Sequence, residues 1–387
     1  MKRRELLRFT GSGAALLALP SLPFCASTPK IGLRAWEGPD PDLADPRLTL
    51  LSWAVLAPNA HNTQPWQVDL SRPSEIDLYV DAGRLLPETD PPMRQIHLSQ
   101  GTFLEHIDMA AREYGLRAEV AYFPRGEYGP DELSDLPVAT VRISRSDSAT
   151  KDPLFSQIKV RHTNRRAYEA GRELSASQCT ALVASVPGEL GSLTVVAQAP
   201  LRERLASISE EAMRVEVSSK ARNRETAKWF RFSTAEVDEK RDGFGMENAG
   251  VTGFKAWFAK SFLISRESAE DPDGSFASNA VSMAGDGGKS ASAFAILTCA
   301  GNTRVHQVKV GRAYARFALT ASALGLAVQP MSQAAQEYVD MAKLKEELER
   351  LAGASASAPV QMLVRIGFAE PVPHAPRRDV RSLVRSA

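Results

Sequence analysis

The chain has 387 residues, 43% of them hydrophobic, enough for one large or two medium-sized cores, so disorder is not its default state. Its 47 basic and 46 acidic residues leave a formal charge of +1, which gives no global attraction to nucleic acid or an anionic membrane and points to a small ligand. Three cysteines (Cys25, Cys179, Cys299) cannot build a disulfide framework, and six scattered histidines without His-Glu-x-x-His or Cys-x-x-Cys spacing indicate no metal site.

Residues 1–29 read as an address. Lys2-Arg3-Arg4-Glu5-Leu6-Leu7-Arg8 is a twin-arginine n-region, and the apolar run over 11–24 is too short and too rich in small residues for a stable membrane span. The expectation is export in the folded state through the twin-arginine translocase, to the periplasm or otherwise out of the cytoplasm. That route suits a chain that takes up a cofactor first. Cleavage is placed near Cys25-Ala26; a basic amphipathic start retained on the mature protein is the alternative. A proline-rich tether over 30–47 follows.

A helix-compatible run over 48–56 leads into Ala57-Pro58-Asn59-Ala60-His61-Asn62-Thr63-Gln64-Pro65-Trp66, a polar loop ahead of paired strands over 66–70 and 76–80. Its prolines restrict the backbone, and the amides of Asn59, Asn62 and Gln64 both donate and accept. That suits the edge of a planar heterocycle; an Asx-rich turn capping its neighbours is the alternative. A helix over 96–114, ended by Gly115, and a strand over 117–123 come next.

Farther on, Arg161-His162-Thr163-Asn164-Arg165-Arg166-Ala167-Tyr168 crowds guanidiniums and a hydroxyl together, which is costly without an anion or carboxylates. A phosphate is the simplest partner. Helices over 173–187 and 198–217 flank a strand over 192–197. The segment 222–262 has no long period, and its Trp229, Phe230, Arg231, Phe232, Arg241 and Phe244 suggest an insertion that is either a lid over a site or a dimer contact. A Gly-rich loop over 285–288 precedes a buried strand over 293–299, which makes Cys299 an inert thiol. After a helix over 311–324 come Gln329-Pro330-Met331-Ser332-Gln333, a charged helix over 335–351, a strand over 359–368 and the tail Pro376-Arg377-Arg378-Asp379. Residues 101–116 align without gaps on 311–326 in their glycine and apolar positions, a sign of duplication.

Taken together, the Pro-Asn-x-x-Asn-x-Gln-Pro-Trp loop and the Arg-x-Thr-x-Arg run resemble the two signatures of the nitroreductase-like FMN flavoproteins. More narrowly they are similar to its exported or stress-associated, fused two-half (Acg-like) branch, over roughly residues 45–385. The resemblance implies an α+β, nitroreductase-like fold of two related halves, 30–150 and 151–387, each a mixed, mainly antiparallel sheet with packed helices, joined as an internal pseudo-dimer with a lid insertion at 218–275. It also implies one composite FMN site per chain. Arg161, Thr163 and Arg165 match the phosphate run, Arg377 and Arg378 the C-terminal basic pair, and Pro58, Asn59, Asn62 and Gln64 the ring-edge loop, with Asn59 where the family usually has Ser. Pro330, Met331 and Ser332 match the backbone beside the ring. The implied activity is hydride or electron transfer from NAD(P)H or another donor, through flavin, to a small nitro- or quinone-like aromatic acceptor, and no protein acid–base residue is expected. No Gly-x-Gly-x-x-Gly suggests a Rossmann site instead. Two other readings stand beside this one: a flavin-sequestering protein with a lidded, poorly reactive FMN, and an interaction module without flavin.

Overall fold

The computed structural model describes residues 31–249 and 265–385, so the expected leader and the stretch 250–264 lie outside the described residues. Asp45 caps the first long element, α1 (Pro46–Ala54), with its carboxylate on the Arg47 N–H, and proline occupies the first helical position. Next come β1 (Trp66–Asp69), β2 (Glu75–Val80), α2 (Arg94–Glu113), β3 (Leu116–Tyr122) and β4 (Ala139–Arg145). They are followed by α3 (Ala176–Ala184), β5 (Ser192–Val196), α4 (Leu201–Val217), α5 (Lys220–Trp229), α6 (Thr234–Lys240) and α7 (Ser275–Lys289). The chain ends with β6 (Ala293–Thr298), α8 (Arg304–Ala323), β7 (Ala327–Pro330), α9 (Ala342–Ala352) and β8 (Val360–Gly367).

The same plan occurs twice. One sheet runs β1-β2-β4-β3 and the other β5-β6-β8-β7, with a 20-residue helix, α2 or α8, after the second strand of each. Among the described residues every strand-to-strand pairing is antiparallel, and an isolated parallel bridge ties Val384 of the C-terminal segment to Val68 at the edge of the first sheet. Where β1 and β2 are joined by the short turn 70–74, β5 and β6 are separated by 197–292. The material added to the second half therefore spans more than the 218–275 expected. It covers the outer face of the second sheet, where Leu205, Ile208 and Ala212 of α4 pack on Phe294, Ile296 and Leu363. This accounts for the near-continuous apolar character of β6 and β8, each buried along its length.

The two halves meet through α2 and α8. A Cβ on Gly101 would collide with the carbonyl oxygen of Val308, and a Cβ on Gly311 with that of Leu98. Those carbonyls stand three residues before the opposite glycine in each helix, so the contact is its own mirror under a two-fold rotation, as in an isologous dimer interface. Both helices end at glycines, Gly115 and Gly325, with φ of +69°. Val308 and Leu319 of α8 enter the first core, while Leu98 of α2 enters the second. Arg94 and Arg304, each 1% exposed, begin the paired helices and reach into opposite halves: Arg94 donates to the carbonyls of Gln361 and Ala335, Arg304 to those of Pro130 and Glu132.

Several expectations need correction. Residues 285–288 are no loop but the last turns of α7, because their missing side chains let helices close up: Gly285 lies against Glu210, Gly287 against Arg365 and Gly288 against Ala206. The described part of 222–262 is largely helical, α5 and α6 each being capped by a serine, Ser219 and Ser233. The charged helix begins at Ala342, not 335, after two short 3-10 turns, and β4 was not anticipated.

Gly101→Ala or Gly311→Ala should cost about 2 kcal/mol or more, since the added methyl meets backbone that can yield only by separating the helices. Gly129→Ala, beside nothing closer than the flexible Glu132 side chain, should stay within about 0.5 kcal/mol. Urea unfolding of the three variants checks this; equal midpoints would remove the crossing from its central role.

Candidate cofactor site

The loop before β1 is held in a conformation that side chains seldom accept unaided. His61, Asn62 and Gln64 have φ of 46°, 52° and 51°, in the left-handed region disfavoured for non-glycine residues. The first turns of α2 brace it: Thr102 Oγ1 donates to Pro58 O at 2.6 Å, Ala60 N–H to Ser99 Oγ at 3.2 Å, and Gln100 Nε2 to Pro65 O at 2.7 Å. Within the loop, the Gln64 N–H donates to Asn59 Oδ1 at 2.8 Å. Strain kept by so many supports is a mark of a functional site.

That loop forms one wall of a cavity of about 530 Å³ between the halves, within the range of about 300–1,000 Å³ common for ligand sites. Pro58, Asn59 and His61 line it together with Pro330, Met331 and Ser332, and with Thr163 and Arg165. A small annex of about 50 Å³ shares Pro58, Asn59, Thr163 and Arg165 with the cavity and adds Asn62, Arg161 and Arg377. Most of the expected site residues thus come together. Gln64 and Arg378 do not line either space. They bind each other behind the loop, the Arg378 N–H donating to Gln64 Oε1 at 2.7 Å, and Arg378 is also paired with Asp81. The Asn62 amide is fully engaged by protein: it donates to Gly243 O and Pro376 O and accepts from Arg377. It clips insertion and C-terminal segment to the loop, and is not free to meet a ring.

The annex is electrostatically incomplete. Arg161 and Arg377 are 3% and 4% exposed, yet among the described residues neither they nor Arg165 has a carboxylate partner. Arg161 donates to Leu56 O at 3.1 Å and Arg377 to Asn62 Oδ1 at 2.8 Å, while the Nε of each is buried without a partner. Burial holds Arg161 down to about 10, and burial together with the Arg161 charge pushes Arg377 well below its ordinary value. Burial also lowers Arg165, whose guanidinium lies 5.0 Å from the centre of the Phe244 ring. Desolvated like charges without counter-ions raise the energy of the folded chain, and an anion that accepts forked hydrogen bonds relieves them.

Several lining residues carry no sequence motif. Gln95, Ser99 and Thr102 lie at spacings of four and three on α2, a polar stripe in an otherwise buried helix that could have been read from the sequence. His61 Nδ1 is buried and unpartnered, and burial lowers its pKa to about 4, so the imidazole is neutral. Met213, Met246, Met283, Met331 and Met362 supply an adaptable apolar lining. From the insertion, Phe230, Phe244 and Met246 reach the cavity. Trp229 instead packs on Leu86, Met93 and Ile96 of the first half. Arg231 is paired with Asp242, and neither Phe232 nor Arg241 is on the wall.

The equivalent place on the other side of the pseudo-two-fold carries different side chains. Where α2 has Gln95, Ser99 and Thr102, α8 has Val305, Lys309 and Arg312. Arg312 is bound to Glu105 at 2.7 Å and to the Tyr122 hydroxyl at 2.9 Å. Glu127, on the loop after β3, accepts from the Val305 N–H at 2.9 Å.

No family model matches the chain. Over 343 residues it is 29% identical to "Putative NAD(P)H nitroreductase Rv3131" of Mycobacterium tuberculosis, covering 87% of this chain and 90% of that protein. Over 335 residues it is 24% identical to "Putative NAD(P)H nitroreductase acg" of the same organism, covering 84% and 91%. A solved structure of the FMN-dependent nitroreductase NfnB from Mycobacterium smegmatis in complex with NADPH aligns with 60% of this chain and 96% of its own, at 18% identity and a TM-score of 0.36. The likeness to nitroreductase-like proteins therefore extends over most of the sequence.

Inorganic phosphate should raise the thermal midpoint of the ligand-free protein, because it binds the folded state alone. Arg165→Met should abolish most of that rise while leaving the phosphate-free midpoint unchanged or higher, since one of three crowded charges is gone. A phosphate response equal to wild type in scanning calorimetry would show that the annex is not an anion site.

Proposed function

We propose that the chain is an FMN-binding oxidoreductase of the nitroreductase kind, which passes electrons from NAD(P)H or another donor to nitro- or quinone-like acceptors. The observation that carries this reading is the trio of desolvated guanidiniums without carboxylates, opening onto an apolar cavity of about 530 Å³. A terminal phosphate suits the annex, where the unpartnered Nε groups of Arg161 and Arg377 await an acceptor, and charge-assisted bonds there contribute about 1.5–3 kcal/mol each. The cavity next to it takes a flat ring system between the 58–61 loop and residues 330–332. When bound, the flavin supplies the hydride chemistry. The protein's share is to fix the phosphate with Arg161, Arg165, Arg377 and Thr163, to shape the ring bed, and to exclude water with Phe230, Phe244 and the methionines.

One flavin per chain is the stoichiometry that the Arg312–Glu105 ion pair at the counterpart position favours. Because Phe230 and Phe244 of the insertion stand at the cavity wall, a second reading is a sequestering protein with a covered, slow flavin. Turnover separates the two. A rate in the ordinary enzyme range of about 1–100 per second supports the oxidoreductase. We further propose that Lys2-Arg3-Arg4 directs the loaded protein out of the cytoplasm through the twin-arginine translocase; retention of an Arg3→Lys/Arg4→Lys double variant inside cells, with wild type exported, is the expected result.

Purified protein should be yellow, hold one FMN per chain and bleach with NADPH. Arg165→Met should weaken FMN at least tenfold, about 1.4 kcal/mol, by fluorescence titration. Two flavins per chain, or none, would refute the composite site.

A further inference from the structure

The cavity wall also includes Glu216, on the last turn of α4 and 8% exposed. Among the described residues it is the one carboxyl group that lines the cavity. Gln333 hydrogen-bonds to it, Asn223, Gln336 and Thr89 line the same cavity, and Gln333 Oε1 is buried without a partner. The cavity and its annex thus carry both guanidiniums and one carboxyl group.

Resting on the flavin reading above, we infer that Glu216 is the proton donor of this site, and that its substrates are planar acceptors whose reduction leaves negative charge on an oxygen, as in a quinone carbonyl or a nitro group. Three features of its surroundings support this. Tyr338 Oη donates to Glu216 Oε2 at 3.1 Å, which fixes one oxygen of a carboxyl group that lines the cavity. The Tyr338 ring lies 4.2 Å from the Arg222 guanidinium, which is itself paired with Asp340, so the tyrosine is held in place. Among the described residues no basic side chain forms an ion pair with Glu216, and Arg222 has its carboxylate in Asp340. Burial raises the carboxyl to about 7; Glu225 acts in the same direction, while Tyr338, Arg222 and Gln333 oppose it. A group poised there is protonated often enough to donate and acidic enough to release its proton.

The step balances as follows. A bound, reduced flavin would supply a hydride, that is two electrons and one hydrogen. With a quinone the Glu216 O–H bond breaks as its proton moves to a carbonyl oxygen, giving the hydroquinone. With a nitro group one N–O bond breaks and the Glu216 proton leaves with that oxygen and the hydride hydrogen as water, giving the nitroso compound. The carboxylate then regains a proton from solvent. Glu216 touches the substrate in this scheme and is a catalytic residue; Tyr338 is a positioning residue.

The test uses Glu216→Gln and Tyr338→Phe in the full-length protein. Infrared titration should show a protonated carboxyl band in wild type that fades near pH 7 and is missing from Glu216→Gln. In stopped-flow work, Glu216→Gln should be reduced by NADPH at the wild-type rate and reoxidised by ferricyanide, which takes electrons without protons, at the wild-type rate. Reoxidation by menadione should fall about a hundredfold and lose its decline above neutral pH. Tyr338→Phe removes a bond that favours the ionised carboxyl, so its menadione profile should shift to higher pH. A carboxyl ionised throughout the neutral range, a Glu216→Gln variant with the wild-type menadione profile, or equal losses with ferricyanide and menadione would each overturn the proposal alone. Wild-type protein that holds no FMN would overturn the flavin reading and this proposal with it.

Discussion

Contact of backbone with backbone between α2 and α8 is the constraint on which the molecule depends. Two helices approach this closely only where neither carries a Cβ, and here the two glycines occupy the same position in their respective repeats. The crossing sets each helix start beside the opposite half. It brings Gln95, Ser99 and Thr102 to the end of β7 on one side, and Val305, Lys309 and Arg312 to the end of β3 on the other. Duplication makes two such places; one lines the cavity, and the other carries the Arg312–Glu105 ion pair.

The open place is held against its own electrostatics. Arg161 and Arg377 are buried with only carbonyls and an amide to accept from them, and the loop beside them keeps three non-glycine residues in left-handed geometry. Such groups and conformations cost the folded chain free energy, and they persist because rigid elements over-determine them. The pocket is consequently preorganised: little reordering is left for the moment of binding, so more of the interaction energy appears as affinity.

Much of this was legible in the sequence, and the exceptions have physical causes. The repeat 101–116 on 311–326 was visible because helix packing at a two-fold demands the same small residue twice. Arg161, Arg165 and Arg377 could be read because crowded guanidiniums require explanation, whatever the fold. Gly285–Gly288 misled, since glycine weakens a helix in isolation but is favoured where another helix packs tightly against it, and that depends on a partner distant in sequence. Asn62 and Gln64 look like ligand groups in any list of donors and acceptors. Only the fold shows that Gly243, Pro376 and Arg378 engage them. Glu216 was invisible for the same reason: a glutamate at the end of a charged amphipathic helix is ordinary until three other elements bury it.

The threading of the C-terminal segment has a bearing on how the protein matures. Arg377 meets Asn62 across 315 positions of sequence, and Val384 pairs with Val68, so the segment 376–384 closes a pocket whose other walls come from earlier in the chain. Without that segment the annex would lack one of its three guanidiniums. A chain cut short before Arg377 by a premature stop or a trimming protease would therefore keep the sequence of both sheets and of the helix crossing but leave the annex open.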